Sequence, residues 1–202
     1  MSITGILLAA GYSHRFGSDK LLHPLTDGTP VAIAAARKLL VAVDKTLAVV
    51  RPESTELADL LHNEGLQIIT CAEAQAGMGA SIACGAKASP EAQAWLIALA
   101  DMPFIQSVTI QKLTTLLRQG ADIVAPTYQG KRGHPVGFSH QFGTQLSKLT
   151  GDKGARLVLQ PHQTQITLFP SSDAGIHWDI DTPQDLVLNR KTDIHTEGTE
   201  SH

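Results

Sequence analysis

Residues 6–22 read ILLAAGYSHRFGSDKLL, and the fold class follows from how this stretch is built. Its start, taken with the residues before it, has no charge and mostly apolar side chains, which predicts a fully buried strand over residues 3–9. Gly11 then breaks the strand into a loop carrying two basic side chains, Arg15 and Lys20. A loop of small residues leaving a buried strand can present backbone N–H groups to an anion. Arg15 and Lys20 add fixed positive charge where phosphate oxygens would sit. The spacing is neither G-x-G-x-x-G nor G-x-x-x-x-G-K-[ST], so dinucleotide and P-loop readings lose their usual support. A Gly-rich turn with two solvated basic residues would show the same letters.

Downstream of this loop, strand and helix signals alternate. Thr29-Pro30 opens a helix that runs to about Val43 and is apolar on nearly all sides. Residues 46–50 read as a strand, Leu57, Leu60 and Leu61 mark a helix that Gly65 ends, and residues 66–71 read as a third strand. Alternation of this kind predicts an α/β fold with a mostly parallel central sheet and helices on both faces. A turn at Gly130-Lys131 predicts a small antiparallel excursion in the second half.

Composition narrows the class. The chain has 202 residues, 43% hydrophobic and 17% charged, which fits one large domain over residues 1–191. A polar, disordered tail is expected over residues 192–202. A net charge of -3 argues against a nucleic-acid surface. No apolar run approaches the roughly 20 residues that span a bilayer, and the N-terminus does not read as a secretory signal. A cytoplasmic protein is expected, so Cys71 and Cys84 read as buried free thiols. The nine histidines have no spacing that suggests zinc.

Several later segments could carry chemistry. Residues 75–85, QAGMGASIACG, are rich in small residues that let backbone approach a ligand. They also fit a helix N-terminus with Ser81 in its first turn. Residues 94–100 form an apolar strand that ends at Asp101. A carboxylate there sits at the ligand crevice of an open α/β sheet, and a cation is its natural companion. A turn or cap aspartate is the other reading, although Ser107 is the better cap for the helix that follows. His134, before Pro135, either donates to a phosphate or is structural. Asp152 can cap a short helix, on which Lys153 and Arg156 share a face, as a basic patch or a solvated one. Residues 176–181 read as a strand with Asp179 and Asp181 on one side, and Thr182-Pro183-Gln184-Asp185 opens a capped helix.

Residues 8–22 fit L-A-A-G-x-S-x-R-x-G-x-x-K-L-L, which resembles the signature loop of nucleotidyltransferases built on a Rossmann-like sheet. The longer resemblance is to the MocA-like molybdenum cofactor cytidylyltransferases, within the MobA-like superfamily. It is supported by G-M-x-x-S (Gly77 to Ser81), A-D-M-P at Asp101, G-H-P-V-G-F at His134, G-D-x-G-A-R (Gly151 to Arg156) and D-I-D-T-P-x-D-L ending at Leu186. The resemblance implies that Leu8, Ala9, Ala10, Gly11, Arg15 and Lys20 wrap a triphosphate. Gly77, Met78, Gly79 and Ser81 would lie against base and sugar. Asp101 and Asp181 would hold Mg2+, with Arg15, Lys20 and Asp101 catalytic. His134, Pro135, Lys153 and Arg156 would line the acceptor. Ala10 is implied to favour CTP, and Phe16 departs from the methionine common at its position. The implied reaction joins a nucleoside monophosphate to the phosphate of a molybdopterin-type acceptor, with a molybdoenzyme as a further partner. Another nucleotide or phosphate acceptor, or a cofactor-delivery module without catalysis, stays open.

Overall fold

Strand β1, Ile3–Leu8, is buried along its whole length, and its side chains serve two cores in turn. Ile3 and Leu7 face one apolar layer, Ile6 and Leu8 the other. That alternation puts β1 in the middle of a sheet covered on both sides. The computed structural model describes residues 1–11, 16 and 19–186, so Arg15 and the tail expected at 192–202 lie outside the described residues.

The chain continues through α1 (Val31–Leu40), β2 (Lys45–Val50), α2 (Thr55–Asn63), β3 (Gln67–Thr70), α3 (Met78–Lys87), β4 (Ala94–Leu99) and α4 (Ser107–Arg118). It then forms β5 (Ile123–Tyr128), β6 (Lys131–Arg132), β7 (Val136–Ser139), α5 (Gly143–Ser147), α6 (Arg156–Leu159) and β8 (Ile166–Pro170). The strand order is β3-β2-β1-β4-β7-β5-β6, with β8 beside β5. β1 pairs in parallel with β2 and β4, β2 with β3, and β5 with β8. β7 lies antiparallel between β4 and β5, and β6 folds back on β5. The mostly parallel sheet and its antiparallel excursion are as the sequence predicts.

Leu39 of α1, Leu57 and Leu61 of α2 and Leu113 of α4 fill the first core. Ile82 of α3, Leu146 of α5 and Val158 of α6 fill the second. Each such side chain, fully buried, contributes about 1.5–3 kcal/mol of transfer free energy. The buried Trp95 ring keeps its polar atom satisfied, its Nε1 donating to Ser89 Oγ at 2.9 Å.

Four local expectations are corrected. Residues 176–181 are not a strand: a 3-10 turn covers Ala174–His177 and the chain runs on outside the sheet. Asp173 is the cause, because its buried carboxylate accepts from the backbone N–H of Gly175 and of Gln106 and from the Thr109 hydroxyl. The same contacts leave Ser107 inside α4 rather than capping it. Asp152 does not cap α6, which starts at Arg156 after a turn, so Lys153 lies off the helix. The cysteines are not free thiols: Cys71 and Cys84 form a disulfide with their Cα atoms 6.1 Å apart. Packing of α3 against β2 and against the 3-10 turn at Ala72–Ala76 that follows β3 brings them within the bridging range, and sequence spacing does not reveal that packing.

Candidate active site

All the parallel strands end at one edge of the sheet, and the candidate residues gather there. Lys20 is 7% exposed, and its ammonium donates to Asp101 Oδ2 at 2.8 Å and to Asp181 Oδ1 at 3.0 Å. Asp101 stands just past β4. Asp181 is brought to it by the next residue back, because the Ile180 N–H donates to the Asp101 carbonyl at 2.9 Å. Asp185 fixes the far side of Asp181, its Oδ2 accepting from the N–H groups of Asp181 and Thr182. The Thr182 hydroxyl donates to the same oxygen, so the acid three residues on caps this turn, as the Thr182-to-Asp185 spacing suggests.

Asp179 joins the pair: carboxylate oxygens of Asp101, Asp179 and Asp181 lie within 4.8 Å of one another. Burial alone would pull the Lys20 ammonium down, but the Asp101 and Asp181 carboxylates hold it above the ordinary lysine value. Asp179 is pushed up, first by burial and then by the charges of Asp181 and Asp101. Asp101 Oδ1 is buried without a hydrogen-bond partner among the described residues. Three converging carboxylates with an unsatisfied oxygen fit a hard divalent cation, which takes one or two protein carboxylates and completes its shell with phosphate and water. Asp179 was not singled out in the sequence as a ligand. The signal was present in the alternation Trp178-Asp179-Ile180-Asp181, which puts both aspartates on one side.

A cavity of about 360 Å³ opens from this cluster. Leu8, Ala10 and Gly11 form one wall with Lys20 and Asp101, and Gly77, Met78 and Ser81 form the other. Ala9 is buried behind the first wall, its N–H donating to the Val49 carbonyl. Gly79 sits behind the second, donating to the Gly151 carbonyl at 2.8 Å. A Cβ on Gly79 would meet the Thr150 carbonyl oxygen at 2.6 Å, so only glycine lets the two backbones approach. Gln75 and Asp152 also reach this cavity, and neither was assigned to it from sequence. Asp152 is within 2.1 Å of where a Gly77 Cβ would stand, which makes it a wall residue instead of a helix cap.

A second cavity, of about 230 Å³, shares Met78 and Leu99 with the first. Arg132, His134, Lys153 and Arg156 contribute its polar lining, and Ile82, Ile97, Val136 and Leu159 are among its apolar residues. His134, Lys153 and Arg156 thus line one cavity, although Lys153 and Arg156 do not share a helix. Pro135 is buried and does not contribute to the lining. Arg132 was overlooked, though it stands two residues before His134. The His134 Nδ1 is buried without a partner among the described residues. Burial pushes its imidazole below the ordinary histidine range, Arg132 and His177 push the same way, and Asp101 opposes them. The ring is therefore neutral near pH 7 and carries one N–H donor.

The two cavities adjoin at Met78 and Leu99, and the larger one reaches Lys20 and Asp101. Comparison with known proteins agrees with that geometry. A family profile described as the MobA-like NTP transferase domain matches residues 5–166. The chain belongs to this family. This MobA-like nucleotidyltransferase is 28% identical to nicotine blue oxidoreductase of Paenarthrobacter nicotinovorans, over 91% of this chain and 94% of that protein. It is 28% identical to purine catabolism protein PucB of Bacillus subtilis, covering 94% and 96%. It is 26% identical to the molybdenum cofactor cytidylyltransferase of Escherichia coli, again covering 94% and 96%. Among solved structures it resembles Rv0371c of Mycobacterium tuberculosis, with TM-score 0.80, 25% identity and 93% and 96% coverage. A complex of Rv0371c with manganese has the same fold, at TM-score 0.74 and 23% identity, covering 93% and 97%. Among the described residues of the MobA-like transferase, no helix is long and apolar enough to cross a membrane.

Proposed function

We propose that this nucleotidyltransferase joins the nucleoside monophosphate of an NTP, with CTP preferred, to the terminal phosphate of a molybdopterin-type acceptor. The observation that carries this reading is the pairing of the two cavities, one ending in Lys20 and Asp101 and the other ringed by Arg132, His134, Lys153 and Arg156. The full-length similarity to the Escherichia coli cytidylyltransferase supports the choice of nucleotide and acceptor.

In this reading the triphosphate lies along Leu8 to Gly11, with Lys20 and Arg15 supplying positive charge to its oxygens. Gly77, Met78 and Ser81 face the base and sugar, and the small side chains let the ring lie close to backbone. Lys153, Arg156 and Arg132 attract the acceptor phosphate, and neutral His134 donates a hydrogen bond to it. An acceptor oxygen forms a bond to the α-phosphorus while the bond from that phosphorus to pyrophosphate breaks, and pyrophosphate leaves. No base is required, because a phosphate monoester is already an anion. Asp101, Asp179 and Asp181 would hold the divalent ion, with Mg2+ as the expected metal and the manganese complex of Rv0371c as a parallel. When bound, it would supply charge neutralisation on the reacting phosphate oxygens. Holding both phosphates in line is most of the remaining catalysis.

Pyrophosphate release across the four triphosphates, with Mg2+ and with or without molybdopterin-type acceptor, tests the proposal. Acceptor-dependent release with CTP first is expected. Release with GTP first moves the protein to guanylyl transfer, and acceptor-independent release or none overturns the reading.

A further inference from the structure

The Cys71–Cys84 bond lies outside the acidic cluster, but it closes the wall of the larger cavity. Cys71 follows β3, fully buried, with its N–H donating to the Val50 carbonyl at 2.9 Å. Cys84 lies in the second half of α3 and is only partly buried. The chain between them carries Ala74, Gln75, Gly77, Met78 and Ser81, all lining the larger cavity.

Apart from the disulfide, that segment is held by small buried side chains and local helical bonds. Residues 72–81 read AEAQAGMGAS, in which Met78 is the one large apolar side chain, and Met78 is 42% exposed. Burial scales with apolar area, so alanine and glycine anchor a loop weakly. Its anchors are the buried Ala74, Ala80 and Ser81, local turn and helix bonds, the Gly79 N–H bond to Gly151 and the covalent bond itself. A cross-link restricts the conformations such a segment can reach when opened.

We propose that Cys71–Cys84 is a reversible thiol–disulfide site that sets triphosphate affinity, the disulfide form being the one that binds. This rests on the reading of the larger cavity as the triphosphate site. The exchange partner is a dithiol. Its thiolate bonds to Cys84 Sγ, the more accessible sulfur, the S–S bond breaks, and Cys71 leaves as a thiolate that takes a proton. The second thiol of the reductant then attacks its own sulfur in the mixed disulfide and releases Cys84 as a thiol. Two electrons and two protons pass to the protein, and the dithiol becomes a disulfide. Glu73 Oε2 stands 3.8 Å from both sulfurs. This oxygen is placed to accept an S–H from either thiol once the bond is open.

The test measures Mg·CTP affinity by calorimetry for the oxidised protein, for the same protein after dithiothreitol, and for Cys84→Ser. Hydrogen exchange over residues 72–83 is followed in parallel. Reduction should weaken CTP about tenfold, on the scale of re-ordering roughly one residue of backbone. Reoxidation should restore affinity, Cys84→Ser should be weak and indifferent to dithiothreitol, and exchange protection should fall with reduction. Equal affinity in both states, unchanged protection, or two free thiols by mass spectrometry after oxidation overturns the proposal. Failure of every triphosphate to bind in either state overturns the substrate reading, and hydrogen exchange then decides the clamp alone.

Discussion

Lys20 reaches Asp101 across 81 positions of sequence, and the same ammonium also holds Asp181. Among the described residues, this ammonium bridges the two carboxylates at the sheet edge. Replacing it with methionine leaves those carboxylates to repel each other. Lys20→Met should lose about 1–2 kcal/mol of stability in EDTA, the half-exposed Asp181 contact being partly screened. Thermal melts with and without Mg2+ check this. Millimolar Mg2+ should restore part of the loss, and an unchanged melt in EDTA contradicts the role.

The acidic cluster makes a graded prediction. Asp101→Asn and Asp181→Asn keep an acceptor for Lys20 but remove charge, so turnover should fall about 10²-fold or more with little change in melting temperature. Asp179→Asn removes the carboxylate that burial and its neighbours already disfavour, and should raise the melting temperature in EDTA. Mn2+ titration by calorimetry should show weaker binding in all three. Undiminished Mn2+ affinity in all three excludes these residues as ligands.

Gly79→Ala tests the junction between the two cavities. Its Cβ would press on the Thr150 carbonyl, a backbone atom that cannot swing aside. A cost of about 1–3 kcal/mol is expected from overpacking, with weaker CTP binding as α3 shifts. A wild-type melting curve and CTP affinity would show that the backbones have room.

Arg156 bears on the acceptor alone. Arg156→Ala should raise the acceptor KM about tenfold while CTP affinity by calorimetry stays unchanged, the exposed side chain being partly screened. A fall in kcat at constant KM would assign Arg156 to chemistry rather than to binding.

His134 gives a pH dependence whose sign is fixed by burial. Its folded pKa lies below the ordinary 6.5, so the unfolded chain binds the extra proton first. The contribution of the neutral ring to stability is complete above about pH 6.5 and is lost as pH falls through that value toward the folded pKa. His134→Gln should remove this slope. Melting temperatures from pH 7.5 to 5 compare the two, and parallel curves would rule the group out.

The fold was legible because β1, β4 and their neighbours are apolar runs with helices between them, and buried parallel strands leave that trace. Asp101 and Lys20 were legible because each follows such a strand in a spaced motif. The failures share a cause. The disulfide depends on how α3 docks against β2 and the turn after β3, and the course of residues 174–181 depends on Asp173 reaching Gln106 and Thr109. Both are contacts between distant segments made of ordinary letters. Arg132 and Asp152 were missed for the same reason: each lines a cavity that exists only once the sheet is assembled.

The reversed direction of β7 has a consequence for descent. Because β7 runs against β4 and β5, the chain entering it begins at the edge where the parallel strands end, and His134 arrives there without another crossover. The larger cavity is drawn from residues 8–101 with Asp152 added, and the polar lining of the smaller one comes wholly from residues 132–156. The polar groups of the two cavities are thus encoded apart, although Met78, Ile82, Ile97 and Leu99 of the earlier half also line the smaller one. On the proposed reading, substitutions at the polar positions of residues 132–156 would alter the acceptor with the polar groups of the nucleotide side left in place, and no strand would have to be added or moved.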